Sequence, residues 1–196
     1  MKTTLKVTPT TILIIANLGV YAFTSVAGGS LLFTSQNIIE ILGQVNISVM
    51  NGEYWQLFTS MFVHVDLLHL LGNMFFLLIF GIRAESLFSK KEFFFIYFAS
   101  GLSGNLLTLL MPPSTLSAGA SGAIFGMFSA SAIYLGKTMG QSIMGALIFS
   151  FFLFILSTGR NVNLLAHFGG LAAGLIIGYS LAKNRKIAKW NLTFEP

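Results

Sequence analysis

The sequence predicts an all-α fold: a polytopic membrane protein whose six transmembrane helices form one bundle, with a first exterior loop partly embedded in lipid. Three observations predict it. Hydrophobic residues make up 55% of the 196 residues and charged residues 9%, and the mean hydropathy is +0.81, which leaves too little polar surface to solvate a compact globule in water. Six apolar stretches run along the chain, each near the roughly 20 residues that carry a helix across about 30 Å of hydrocarbon. The basic residues, finally, sort to one side of a six-span arrangement. Residues 1–196 read as a single membrane domain without repeats, low-complexity tracts or an appended soluble domain.

The first span, residues 9–27, follows Lys2 and Lys6. Those lysines and Ser25-Val26-Ala27 also fit a secretory signal with a cleavage site, but the long apolar run favours a retained helix. Residues 28–64 form the one long connection. Within it Gly52-Glu53-Tyr54-Trp55-Gln56-Leu57-Phe58 mixes aromatic and polar side chains as a segment at the lipid interface does, so an ordered, partly embedded loop is expected. For Trp55 alone, an aromatic-belt role is an equal explanation. The second to sixth spans are expected near 65–84, 92–111, 121–137, 141–157 and 164–182. The fourth and fifth are short, as suits helices that end at a water-filled cavity. Twenty phenylalanines supply lipid-facing bulk, and twenty glycines permit close helix contacts.

All of the 11 lysines and arginines except Arg160 fall on the side that holds both termini, which places the N- and C-termini in the cytoplasm. The net charge of +5 is therefore topological rather than a nucleic-acid stripe, and no nucleic-acid partner is expected. The absence of cysteine excludes disulfides, a cysteine nucleophile and thiolate metal sites.

Two residues at the edges of apolar runs carry the chemistry. Ser121, in Gly119-Ala120-Ser121-Gly122, opens the fourth helix, where unpaired N–H groups and the helix dipole favour developing negative charge. Gly119 and Gly122 allow a tight turn and close approach by a substrate backbone. Alone, Ser121 reads more simply as a helix cap or a small interface residue than as a nucleophile. His167, in Ala166-His167-Phe168-Gly169-Gly170, is an ionisable group within a span, where such groups default to function. Gly170, Gly174 and Gly178 share its helix face, and Gly122, Gly126 and Ala130 follow Ser121 on the fourth helix. Two such small-residue faces let the helices approach and bring imidazole to hydroxyl, although His167 could instead hydrogen-bond a carbonyl and join helices.

His69 and Asn73, four residues apart on the second helix, could donate to an oxyanion or serve interhelical hydrogen bonding. A metal set of His64, Asp66 and His69 is the weaker reading, since no His-Glu-x-x-His occurs, and no metal or other cofactor is expected. Asp66 is the only aspartate, so a serine–histidine dyad is favoured over a triad and an aspartyl mechanism is excluded.

Taken together, Trp55-Gln56, His64-Val65-Asp66-Leu67-Leu68-His69-Leu70-Leu71-Gly72-Asn73, Gly119-Ala120-Ser121-Gly122-Ala123-Ile124-Phe125-Gly126 and Ala166-His167-Phe168-Gly169-Gly170-Leu171-Ala172-Ala173-Gly174 resemble the rhomboid intramembrane serine proteases. The order and spacing match the six-helix prokaryotic form over nearly the whole chain. The resemblance implies Ser121 as nucleophile, His167 as general base, and an oxyanion hole of His69, Asn73 and the Ser121 backbone N–H, with His64 in support. It further implies a serine endopeptidase in the plasma membrane of a prokaryote, acting without metal or ATP on single-pass transmembrane substrates that enter from the lipid. Two positions depart from the family pattern: Gln56 stands where arginine commonly follows the tryptophan, and Phe125 where some members place tyrosine against the histidine. A rhomboid-like protein that only binds membrane helices is disfavoured because Ser121 and His167 are both retained. A small transporter would need paired charges or repeat symmetry, which the sequence lacks.

Overall fold

A computed structural model describes residues 7–140 and 162–185, together with positions 142, 144, 145, 148 and 152. The span expected at 141–157 therefore lies outside the described residues apart from those five positions. The described elements are α1 (Pro9–Gly28), α2 (Gln36–Leu42), β1 (Gln44–Val45), α3 (Asn46–Met50), α4 (Gln56–Thr59), α5 (Leu67–Leu87), α6 (Lys90–Thr108), β2 (Leu116–Ser117), α7 (Ser121–Met139) and α8 (Leu164–Asn184). Among the described residues, α1, α5 and α8 are long and apolar enough to cross a membrane.

Local signals set the helix ends. Thr8 caps α1 by accepting from Thr11 N, and Gly29 closes it in the left-handed region at φ 68°. Asp66 caps α5, so that helix starts at Leu67 rather than residue 65. Ser89 and Glu92 form a capping box that starts α6 two residues ahead of the expected 92. Leu109 to Met111 then tighten into i to i−3 bonds before Pro112 and Pro113, ending α6 at Thr108 rather than 111.

Small residues join α6, α7 and α8. A Cβ on Gly174 would collide with Gly126 O, one on Gly178 with Ala130 O, and one on Gly104 with Ala166 O, so the backbones touch there and only hydrogen fits. Lipid is as apolar as leucine, so this close packing, rather than transfer from water, holds such helices together. Against this trio lie α5 and α1, through a core that includes Leu13, Leu70, Leu77, Phe93, Tyr97 and Met127. At the end of the bundle away from Ser121, Arg185 Nη2 pairs with Glu92 Oε2 at 2.6 Å while Nη1 donates to Leu87 O and Tyr134 Oη.

The connection between α1 and α5 is ordered by buried amides. β1 pairs antiparallel with β2, Gln44 opposite Ser117 and Val45 opposite Leu116. Asn46 Nδ2 donates to Thr108 O at 2.7 Å, and Gln44 Nε2 to Asn105 O at 2.9 Å. Asn105 Nδ2 in turn donates to Leu57 O and Ser60 Oγ. The loop thus packs on the end of α6, beside the segment that leads into Ser121.

Candidate active site

Ser121 is the first residue of α7, and Ala120, not the serine, occupies the cap position. Its hydroxyl is therefore not spent on capping. Ser121 Oγ lies 2.7 Å from His167 Nε2, within reach for the hydroxyl to donate to the ring. His167 sits in the first turn of α8, itself capped by Asn163, whose Oδ1 accepts from Ala166 N at 3.0 Å. The Phe125 ring, one turn after Ser121, stacks on His167 at 4.6 Å and 27°. Ring packing at this position therefore persists without a tyrosine hydroxyl.

Gly119 holds φ at 125°, a conformation that side chains rarely adopt. Its N–H donates to Ser60 O at 2.8 Å, and a Cβ there would lie 2.7 Å from His69 Cε1 and 2.9 Å from His69 Nε2. The His69 ring edge thus faces the backbone that precedes Ser121, with Asn73 Nδ2 beside it. Asn73 Nδ2 donates to His69 O, which leaves its second N–H for another acceptor.

Ser121, His167, His69, Asn73, Gly119 and Gly122 all line one cavity of about 900 Å³. His64 does not line it. It is fully buried next to His69, the two rings 5.1 Å apart and edge to face, and its Nδ1 donates to Phe62 O at 3.3 Å. Burial, with His69 adding to it, lowers its pKa to about 3, so His64 is neutral at any ordinary pH. Gly126, Gly170 and Gly174 lie below the cavity in the α7–α8 contact. Asp66 is occupied as the α5 cap, its Oδ1 accepting from His69 N at 2.7 Å, and takes no part in a triad. Among the described residues no three histidine or acidic side chains stand close enough to hold a metal ion.

Sequence reasoning missed Asn163, which lines the cavity and ties its parts together. The available signal was an asparagine immediately before an apolar helical run, the mark of a cap. It also left open what Gln56 does. That side chain is fully buried: Nε2 donates to Glu40 O and Glu53 Oε2, each at 2.9 Å, and Oε1 accepts from Val45 N at 2.7 Å. Glutamine thus anchors the loop by hydrogen bonds alone, where the family pattern places a cation.

The rhomboid domain family model matches residues 51–184, more than half of the chain. The chain belongs to the rhomboid family. The match takes in α4 through α8, and with them every cavity residue except Gln36 and Ile39. RHOMBOID-like protein 6, mitochondrial, of Arabidopsis thaliana is 34% identical over 171 residues, covering 82% of this rhomboid and 55% of that protein. RHOMBOID-like protein 1 of the same plant is 32% identical over 170 residues, covering 83% and 44%. Rhomboid-like protease 3 of Toxoplasma gondii is 33% identical over 149 residues, covering 71% and 57%. This rhomboid spans about half the length of these curated relatives.

Proposed function

We propose that this rhomboid is an intramembrane serine endopeptidase, cleaving transmembrane segments of single-pass substrate proteins near the exterior membrane face. The observation that carries the reading is the 2.7 Å approach of Ser121 Oγ to His167 Nε2 at the wall of a 900 Å³ cavity. A hydroxyl against an imidazole at the start of a helix is the minimum equipment for acyl transfer. The similarity to a relative named as a protease supports the same conclusion.

In this mechanism His167 Nε2 takes the Ser121 proton as Oγ attacks the substrate carbonyl carbon. The negative charge that develops on the carbonyl oxygen is met by the Ser121 N–H, the free N–H of Asn73 Nδ2 and the His69 ring edge. His167 then gives its proton to the leaving amine, and an ester to Ser121 remains. Water from the cavity loses a proton to His167, attacks the ester and restores the serine. Every step uses side chains of this chain, and none calls for a metal or ATP. A regular helix hides its carbonyl carbons, so the substrate must unwind locally to reach Oγ.

The reading includes a topology. Six spans, the fifth at residues 141–157, would put both termini in the cytoplasm of a prokaryote and Ser121 at the exterior end, with the α2–α4 loop resting in the interface. The test is cleavage of a model transmembrane substrate in liposomes without metal or ATP, comparing wild type with Ser121→Ala and His167→Ala. Wild type should cut, and both variants, still folded, should not. Equal cutting by Ser121→Ala, or binding without cutting by wild type, would replace the protease with a helix-binding protein.

A further inference from the structure

The two halves of the proposed dyad lie on different helices, and one half-buried side chain bonds to the approach of both. Asn163 Nδ2 donates to Ser117 Oγ at 2.9 Å and to Thr108 Oγ1 at 2.8 Å, which uses both of its N–H groups. Its Oδ1 accepts from Ala166 N at 3.0 Å, and its backbone carbonyl accepts from His167 N at 3.2 Å. Ser117 ends β2, four residues before Ser121, and Thr108 ends α6. Both acceptors are buried, at 9% and 0% exposure, so removing the amide takes a protein partner from each of them. Thr108 Oγ1 is itself oriented by donating to Gly104 O at 3.0 Å, which leaves its lone pairs toward Asn163.

We infer that Asn163 is a positioning residue. By bridging Ser117, Thr108 and the first turn of α8, it fixes the distance between Ser121 and His167. The inference rests on the protease reading for its kinetic consequence but not for its geometric one. The glycine contacts between α7 and α8 set how closely the helices approach, and Ser129 Oγ, donating to Leu171 O at 2.8 Å, adds a directional bond two turns along α7 from Ser121. The Asn163 amide adds directional bonds at the level of the dyad itself, because a slide of α8 along its axis would stretch its bonds to Ser117 and Thr108 together. A lapse of about 1 Å in such a pair costs on the order of a hundredfold in rate.

Asn163→Ser separates this role from capping, since serine keeps a cap oxygen of similar strength but has no amide to bridge with. The chain has three histidines, so ¹⁵N-histidine labelling of the whole protein in detergent resolves the His167 ring, and Ser121→Ala gives its signal without the serine partner. In Asn163→Ser the His167 Nε2 signal should move toward the Ser121→Ala position. Its kcat for a transmembrane substrate should fall about ten- to a hundredfold with KM nearly unchanged. Ser117→Ala, which leaves α8 untouched, should move both readouts in the same direction by less, and it decides the matter if Asn163→Ser does not fold. A His167 signal at its wild-type position in the folded variant overturns the inference. An inactive wild type would sink the protease reading, while the His167 signal still decides the role of Asn163.

Discussion

Gly170→Ala tests how tightly the α7–α8 contact governs the site. A Cβ on Gly170 would lie 2.7 Å from Gly122 C and 3.0 Å from Gly122 Cα, and nearer still to the carbonyl oxygen. Ordinary contact begins at 3.4 Å, so the carbonyl carbon alone requires the helices to part by about 0.7 Å. Both sides of the contact are backbone, and no rotamer change can relieve it. Ser121 is one residue from Gly122 and His167 three from Gly170, so the separation reaches the 2.7 Å Oγ–Nε2 pair almost undiminished. Lengthened by that amount, the pair passes out of good hydrogen-bond range. The expected result is a loss of about 1–3 kcal/mol in stability from overpacking and about a hundredfold in kcat. Gly178→Ala is the control: its Cβ would meet Ala130 Cα and Ile133 Cγ2, each at 2.7 Å, eight residues further along α8. It should lower stability comparably and activity much less. Thermal unfolding in detergent and cleavage in liposomes report the two quantities. Should Gly170→Ala cleave at the wild-type rate, or should both variants lose the same activity, the backbone contact does not set the dyad geometry.

Three further outcomes are expected. Gln56→Ala removes three part-buried hydrogen bonds made by a buried side chain and should cost about 2–3 kcal/mol, measured by denaturation; an unchanged unfolding midpoint would mean that the loop is anchored elsewhere. Phe125→Tyr should keep full activity while Phe125→Ala loses the ring that stacks on His167, a contact worth about 0.5–1.5 kcal/mol; equal activity of the two would remove any role for the stacking. His64 stays neutral in the fold, with its pKa lowered from 6.5 to about 3, so the unfolded chain binds the extra proton between those values. Its contribution to stability is complete above pH 6.5 and is lost as pH falls toward 3. His64→Gln should flatten the dependence of unfolding temperature on pH across that window, and an unaltered slope would refute the assignment.

The helical membrane class was legible because it rests on period and composition, and both survive without tertiary information. Expected starts at 9, 121 and 164 coincide with Pro9, Ser121 and Leu164, since each follows a turn or capping residue that ends the preceding segment. The approach of Ser121 to His167 was legible for a related reason. Small residues at four-residue spacing on two helices have few uses in lipid other than bringing backbones together, and here Gly170, Gly174 and Gly178 meet Gly122, Gly126 and Ala130. The connection from α1 to α5 was not legible in the same way. Gln44, Asn46 and Asn105 are polar residues whose partners are mostly main-chain carbonyls, some 48 to 66 positions away. A backbone carbonyl carries no residue identity, so such a bond leaves no pattern in sequence. Asn163 shows the limit most plainly: its bond to Ala166 N spans three residues and could be read as a cap, while its bonds to Thr108 and Ser117 cross 55 and 46 positions and could not. The residues proposed to perform chemistry are conspicuous in an apolar chain because their presence there is costly. The residues that hold them in place look like ordinary loop asparagines and glutamines, and only their long-range hydrogen bonds in the fold distinguish them.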